Sequence, residues 1–354
     1  MRLVTFSHKH RVAPDRQQGP DTHVGIYLPG EGRNRSRVLG VVAAHNWLNK
    51  KRGGNAPYQP PMSMLELLND GPDAMHRVRE LCAIVAQDEE GLWECSQPVD
   101  DVVLHAPIPF PPTIRDFYAF EQHVMAARKR RGLEMIPEWY QHPVFYYSNP
   151  GAVYGPDQDI PYPRITRELD YELEIACVIG RPGRDIPAEE ANNYIAGYMI
   201  MNDWSARDVW RNFESRLSMG PAKSKDFATS LGPFLVTPDE LEDCKVGEGR
   251  ELRYDLEMCA RVNHHTLSYG NAKSITHTFA SMIEWASTDV WLRPGDVFGS
   301  GTVGTGCILE LGPENTGGWL KPGDLVELEI ERLGILRNRL TMPRLQEVTS
   351  AVHA

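Results

Sequence analysis

Residues 168–180 read ELDYELEIACVIG, and the apolar positions Leu169, Tyr171, Leu173 and Ile175 alternate with Asp170, Glu172 and Glu174. Period-two alternation predicts a β-strand with two unlike faces. One face packs on a core. The other carries three carboxylates in a row, each roughly 7 Å from the next. Water in front of such acids is the ordinary arrangement, and a cation is the alternative. Other short apolar or alternating runs also predict strands: RLVTF, HVGIYL and RVLGVVAA early in the chain, then GYMIMND, GPFLVTP, RYDLEMCARVN and DLVELEIERLGILRNRL. SMLELLND and DAMHRVRELCAIVAQ have helical spacing, the second opening on Asp73 as a cap. Residues 116–131 and 276–288 are further predicted helices.

The stretch APIPFPPTIRD at 106–116 holds four prolines and reads as a rigid linker. It divides a small N-terminal α+β unit, 1–105, from a larger unit, 106–354. Many short strands with Gly- and Pro-rich turns and few helices predict a β-rich α+β fold.

Composition narrows the function classes. The chain has 354 residues, 41% hydrophobic and 24% charged, with a net charge of −11. The acidic balance argues against nucleic acid or an anionic membrane as partner. No apolar run approaches the roughly 20 residues of a membrane helix. MRLVTFSHKH lacks the apolar core of a signal peptide, so a cytoplasmic location is expected. The six cysteines form no CxxC pair, and buried free thiols are expected.

Four acids form a candidate site: Asp116, Glu172, Glu174 and Asp203. Glu172 and Glu174 share a strand face. Asp203 ends the apolar run AGYMIMND, and Asp116 opens the predicted helix after the linker. Oxygen donors without His or Cys suit magnesium, calcium or manganese. A bound cation would explain why a core-like strand tolerates carboxylates whose uncompensated burial is prohibitive. His123 follows Asp116 by seven residues, near two helical turns, so both would face one way, and His123 could act as general base, with a half-buried helix histidine as the plainer reading of the residue pattern alone. The run RKRR at 128–131 reads as a solvated helix end, with Gly132 as its stop. GDVFGSGTVGTG at 295–306 lacks a phosphate-loop pattern, and its glycines suit a tight turn or close backbone approach. Either Lys223 or Lys225 could reach an anionic substrate, with surface lysines as the plain alternative.

RDFYAFEQH, PVFYYSNPGAVYG, LDYELEIACVIG, MNDWSARD, AKSKDFATSLGPF and RPGDVFGSGTVG together resemble the fumarylacetoacetate hydrolase family in order and spacing, from about Ile114 to Leu311. The resemblance implies a mixed β-sheet roll, dimeric, behind a small N-terminal domain. It implies Asp116, Glu172, Glu174 and Asp203 as ligands of magnesium or calcium, and His123 as a water-activating base oriented by Glu310. It implies Arg207 and Lys225 as groups that stabilise negative charge, and Tyr118, Tyr146 and Thr302 as substrate contacts, with Tyr147 adjacent to Tyr146. Trp210 departs from the pattern, standing where the hydrolase branch has a Gln. An indole N–H is one donor on a bulky ring, so Trp210 bears on substrate choice.

The expected function is metal-dependent hydrolysis of a carbon–carbon bond in a β-diketo acid, such as an acylpyruvate, by a homodimer acting on a small anionic keto acid. A tautomerase, isomerase or decarboxylase on the same metal site is the alternative within the fold. A non-catalytic cation-binding module is the alternative outside it.

Overall fold

The computed structural model describes residues 1–9, 22–30, 35–54, 58–217 and 220–343. A twelve-stranded mixed sheet runs through both halves of the chain. Its order begins with Ser96–Pro98, Arg37–Gly40, His23–Leu28 and Arg2–His8. It continues through Thr229–Val236, Ile195–Asp203, Leu173–Ile179, Val297–Gly299, Ile114–Phe117 and Phe145–Ser148. Arg2–His8 pairs antiparallel with Thr229–Val236, so no break in the sheet falls at the proline stretch. A second sheet runs His265–Asn271, Glu257–Val262, Leu325–Ile330, Gly334–Thr341 and Ile160–Pro161.

The large sheet is covered on both faces. One face packs Ala176, Val178, Met199, Met201 and Val297 against the helices Met64–Asn69 and Gly71–Gln87. The other packs Ile175, Cys177, Ile200 and Phe298 against the second sheet and the helix Phe279–Ser287. Buried on both sides, the central strands read as nearly continuous apolar runs. Among the described residues, no helix is long and apolar enough to cross a membrane.

Several local expectations are corrected. RVLGVVAA is strand only through Gly40, and Val41–Lys51 is helix. The helix containing Asp73 starts earlier, at Gly71 with Pro72 in its first turn, so Asp73 is a first-turn acid and not its cap. RYDLEMCARVN breaks into two strands around Asp255–Leu256. The predicted helix 116–131 begins at Glu121, while Ile114–Phe117 is a strand between Val297–Gly299 and Phe145–Ser148. Partners far along the chain decide that strand, and no local pattern shows them. Asp116 and His123 therefore do not share a helix face. All six cysteines are free thiols.

Candidate active site

The site grows from one face of the sheet. Ile114, Ala176, Val178, Met199, Met201 and Val297 line that face as core. Counting by twos along each strand puts Asp116, Glu174 and Asp203 on the same face, toward the strand ends. Glu172 lies one step beyond Glu174. All four are buried, and one oxygen from each lies within 4.8 Å of the others. The expected unbroken row of three acids along one strand face is thus corrected. The strand breaks at Tyr171–Glu172, and Asp170 turns to different partners.

Two features of the glycine-rich stretch build the cage. Gly299 lies between the Asp116 and Glu174 strands, and a Cβ there would sit 2.5 Å from Asp116 Oδ1 and 3.0 Å from Glu174 Oε2. Gly301, at φ +76°, donates its N–H to both of those oxygens at 3.2 Å. Its own Cβ would strike the Phe117 carbonyl at 2.4 Å. Thr302 is buried directly after it. The turn following Asp203 is pinned by Trp204, whose indole N–H donates to Ser230 Oγ at 2.9 Å. Asn202 Oδ1 accepts the Glu172 N–H at 2.9 Å.

Charge is unevenly compensated. Lys225 Nζ donates to Glu172 Oε2 and to Asp203 Oδ2, whereas Lys223 is exposed and pairs with Asp226. Of the two lysines, Lys225 is the one in the site. Arg207 Nη2 lies 2.8 Å from Glu172 Oε1, as an ion pair without a hydrogen bond's angle. Burial would raise Glu172, but Lys225 and Arg207 outweigh it and hold the carboxyl below its usual range. Glu174 is pushed well up by burial and by Asp116, Glu172 and Asp203. Burial also raises Asp116, and raises Asp203 to about 8 despite Lys225. The Tyr146 hydroxyl lies within hydrogen-bond reach of Asp116 Oδ2, at 3.0 Å, and of Asp203 Oδ2, and its one proton is shared between them, while Tyr147 is exposed and lies against Arg115.

The residues fit a divalent cation. Glu174 Oε1 and Asp203 Oδ1 are buried and have no hydrogen-bond partner. Unpartnered carboxylate oxygens are costly in such a place. An all-oxygen set of this kind suits a hard cation, and Asp116, Glu172, Glu174 and Asp203 would hold it.

His123 approaches from the helix Glu121–Arg130, within electrostatic reach of Glu172. Its Nδ1 pairs with Glu310 Oε1, and both side chains are almost wholly enclosed. Glu310 Oε2 accepts the Thr305 N–H at 2.7 Å. The Tyr118 ring stands edge-on to the imidazole, centroids 5.4 Å apart, and burial pushes its hydroxyl up to about 12. Trp210 is half-buried on the short helix Arg207–Asn212, with the Arg131 guanidinium 5.0 Å from its ring centroid. Arg128, Lys129 and Arg130 occupy the last helical turn, and Gly132 follows at φ +70°. Arg131 alone of the basic run is thus tied to Trp210.

Two buried acids escaped the sequence reading of the site. Glu214 accepts the Ala222 and Ser224 N–H groups at 3.2 and 3.0 Å, and the Ser224 hydroxyl, tying down the turn that presents Lys225. Nothing in its sequence neighbourhood marks it. Asp170 accepts from Arg207 Nε and from the Ile308 and Leu309 N–H groups. Its place in the alternating run was the available signal.

The comparisons with known proteins bear on the family and the fold. A model of the fumarylacetoacetate (FAA) hydrolase C-terminal family matches residues 113–341. A bovine (Bos taurus) protein named oxaloacetate tautomerase FAHD2A, mitochondrial, is 32% identical over 340 residues, spanning 96% of this chain and 91% of that one. Fumarylacetoacetate hydrolase from Exiguobacterium antarcticum superposes with a TM-score of 0.66 at 22% identity, covering 97% of this chain and 99% of that one. Maleylpyruvate hydrolase from Sphingobium sp. SYK-6, solved with manganese(II) and pyruvate, gives 0.64 at 20% identity, covering 97% and 100%. With the family model spanning well over half its length, the chain belongs to the fumarylacetoacetate hydrolase family.

Proposed function

We propose that the chain is a metal-dependent enzyme that moves a proton on a small anionic 2-oxo acid, interconverting enol and keto forms, with oxaloacetate as the representative substrate. The observation that carries this reading is the junction at Glu172. On one side lies a carboxylate cage with unpartnered oxygens, and on the other the His123–Glu310 pair. The name of the bovine relative supports the same chemistry and moves the reading away from hydrolysis as first choice. Magnesium is the proposed ion, with manganese and calcium as alternatives of the same hard, oxygen-seeking class. When bound, such an ion supplies Lewis-acid polarisation of the substrate's oxygens.

The chain's own residues account for the proton. His123 Nδ1 is engaged by Glu310, which leaves Nε2 for the substrate. Nε2 takes the proton from the carbon next to the keto group. The C–H electron pair becomes the carbon–carbon double bond, and the keto oxygen gains negative charge. Return of the proton to that oxygen completes the enol. Glu310 orients the ring and offsets the imidazolium charge. Lys225 and Arg207, both on Glu172, bring positive charge near the developing enolate.

Hydrolysis of an acylpyruvate is the second reading. The observation favouring it is that same pair, since a Glu-oriented His suits activation of water. A purely structural cation module has no use for the pair. Enol oxaloacetate and an acylpyruvate, each incubated with protein and magnesium, separate the readings by product. Accelerated loss of enol absorbance without new acids supports tautomerisation. Two acids from the acylpyruvate would support hydrolysis, and pyruvate with carbon dioxide from oxaloacetate would indicate decarboxylation. No acceleration with any of them overturns both readings.

A further inference from the structure

Asp170 stands outside the cage, yet it is fully buried and makes three polar contacts. Its Oδ2 accepts from Arg207 Nε at 2.9 Å and from the Leu309 N–H at 2.9 Å, and its Oδ1 accepts from the Ile308 N–H at 2.8 Å. Those contacts reach two different parts of the site. Arg207 continues to Glu172, and hence to the cage and to Lys225. Ile308 and Leu309 open the short helix Ile308–Leu311, whose next residue, Glu310, holds His123. The Arg207 N–H itself donates to the Glu168 carbonyl at 3.0 Å, so this arginine is tied by its backbone to the Asp170 segment as well.

A buried carboxylate that holds one cation and two backbone N–H groups is well compensated, and such a group resists displacement. We propose that Asp170 is a positioning residue that sets the proton-transfer pair and the Arg207–Glu172 pair in register with each other. It acts through Glu310 on one side and through Arg207 on the other, and touches neither substrate nor cation. The inference rests on the reading of His123 and Glu310 as the proton-transfer pair. It adds the residue on which their placement relative to the cage depends.

Asp170→Asn tests it. The substitution keeps the shape but swaps an acceptor oxygen for an NH2 group. At least one of Arg207 Nε–H, the Ile308 N–H and the Leu309 N–H then faces a donor. Outer partners of this kind typically change activity by about 10–100-fold. The expected result is a kcat lower by about that factor, with KM nearly unchanged and a cooperative melt. The loss should not multiply with that of Glu310→Gln, because both disable one pair. Parent-like kcat in Asp170→Asn, or losses that multiply in the double variant, overturn the inference. Glu310→Gln at the parent rate would instead overturn the functional reading beneath it. Should Asp170→Asn not fold, Arg207→Lys replaces it. It keeps the cation and removes the Nε–H that Asp170 holds. Non-multiplicative loss with Glu310→Gln supports the bridge between the two parts, and fully multiplicative loss overturns it.

Discussion

Glu172 and Glu174 are two residues apart, of one residue type, and both buried, yet they end up in opposite electrostatic states. At the Glu172 end the chain supplies two cations, Lys225 and Arg207, and the carboxyl is held low. At the Glu174 end burial and the neighbouring acids Asp116, Glu172 and Asp203 act together, and the carboxyl is pushed well up. One end is neutralised from within, while the other is left for something from outside. A buried group therefore cannot be assigned a role from burial and residue type alone. What matters is which charges the fold brings beside it.

The largest expected effect comes from removing the outward-looking end. Glu174→Gln and Asp203→Asn should each abolish magnesium or manganese binding in a calorimetric titration. Activity should fall by at least about a thousandfold, as expected for losing several kcal/mol of metal assistance. Unchanged affinity in both variants would erase the distinction between the two ends.

His123→Asn probes the Glu172 end. It should lower the proton-transfer rate by about a hundred- to ten-thousandfold and keep cation affinity, because the imidazole belongs to the pair with Glu310. Loss of affinity together with rate would move His123 into the cation's shell and merge the two ends.

Cation binding should also stabilise the fold. At a hundredfold excess over the dissociation constant, an ion bound by the native state alone contributes about 2.7 kcal/mol. Melting should rise with magnesium and fall with a chelator, and the Glu174→Gln chain should be indifferent to both.

The smallest effect is on pH. Asp203 is raised to about 8 in the cation-free protein. A raised carboxyl contributes stability that is fully present below its ordinary range near 4 and is lost as pH rises through about 8. The cation-free protein should therefore lose stability across that window. The same proton must leave when a cation binds, so affinity should rise by up to about tenfold per pH unit there. Calorimetry in buffers of different ionisation enthalpy would show the released proton, and heats independent of the buffer would contradict it.

Much of this was legible in the chain. Period-two alternation marked the strand that carries Glu174, and the apolar run before Asp203 marked its strand, because both patterns are local. The donor types named a hard cation for the same reason. The prolines and glycines marked the turns, and Gly299 and Gly301 proved to be close approaches of backbone to carboxylate. Other features had no local trace. Asp116 looked like a helix opening because its strand partners lie at 145–148 and 297–299. Lys223 and Lys225 are two residues apart, and the turn that Glu214 ties down decides which of them enters the cage. Tyr146 and Tyr147 differ only in strand face. Asp170 belonged to the same alternating row as Glu172 and Glu174, and only the break at Tyr171–Glu172 and the arrival of Arg207 and Ile308 from elsewhere in the chain set it apart. The sequence by itself determined which residues are apolar, which can ligate, and how they alternate, since these follow from side-chain chemistry and the strand period. The tertiary structure alone decided which carboxylates meet a cation of the chain and which meet one another, because charge compensation depends on distances between residues far apart in the chain.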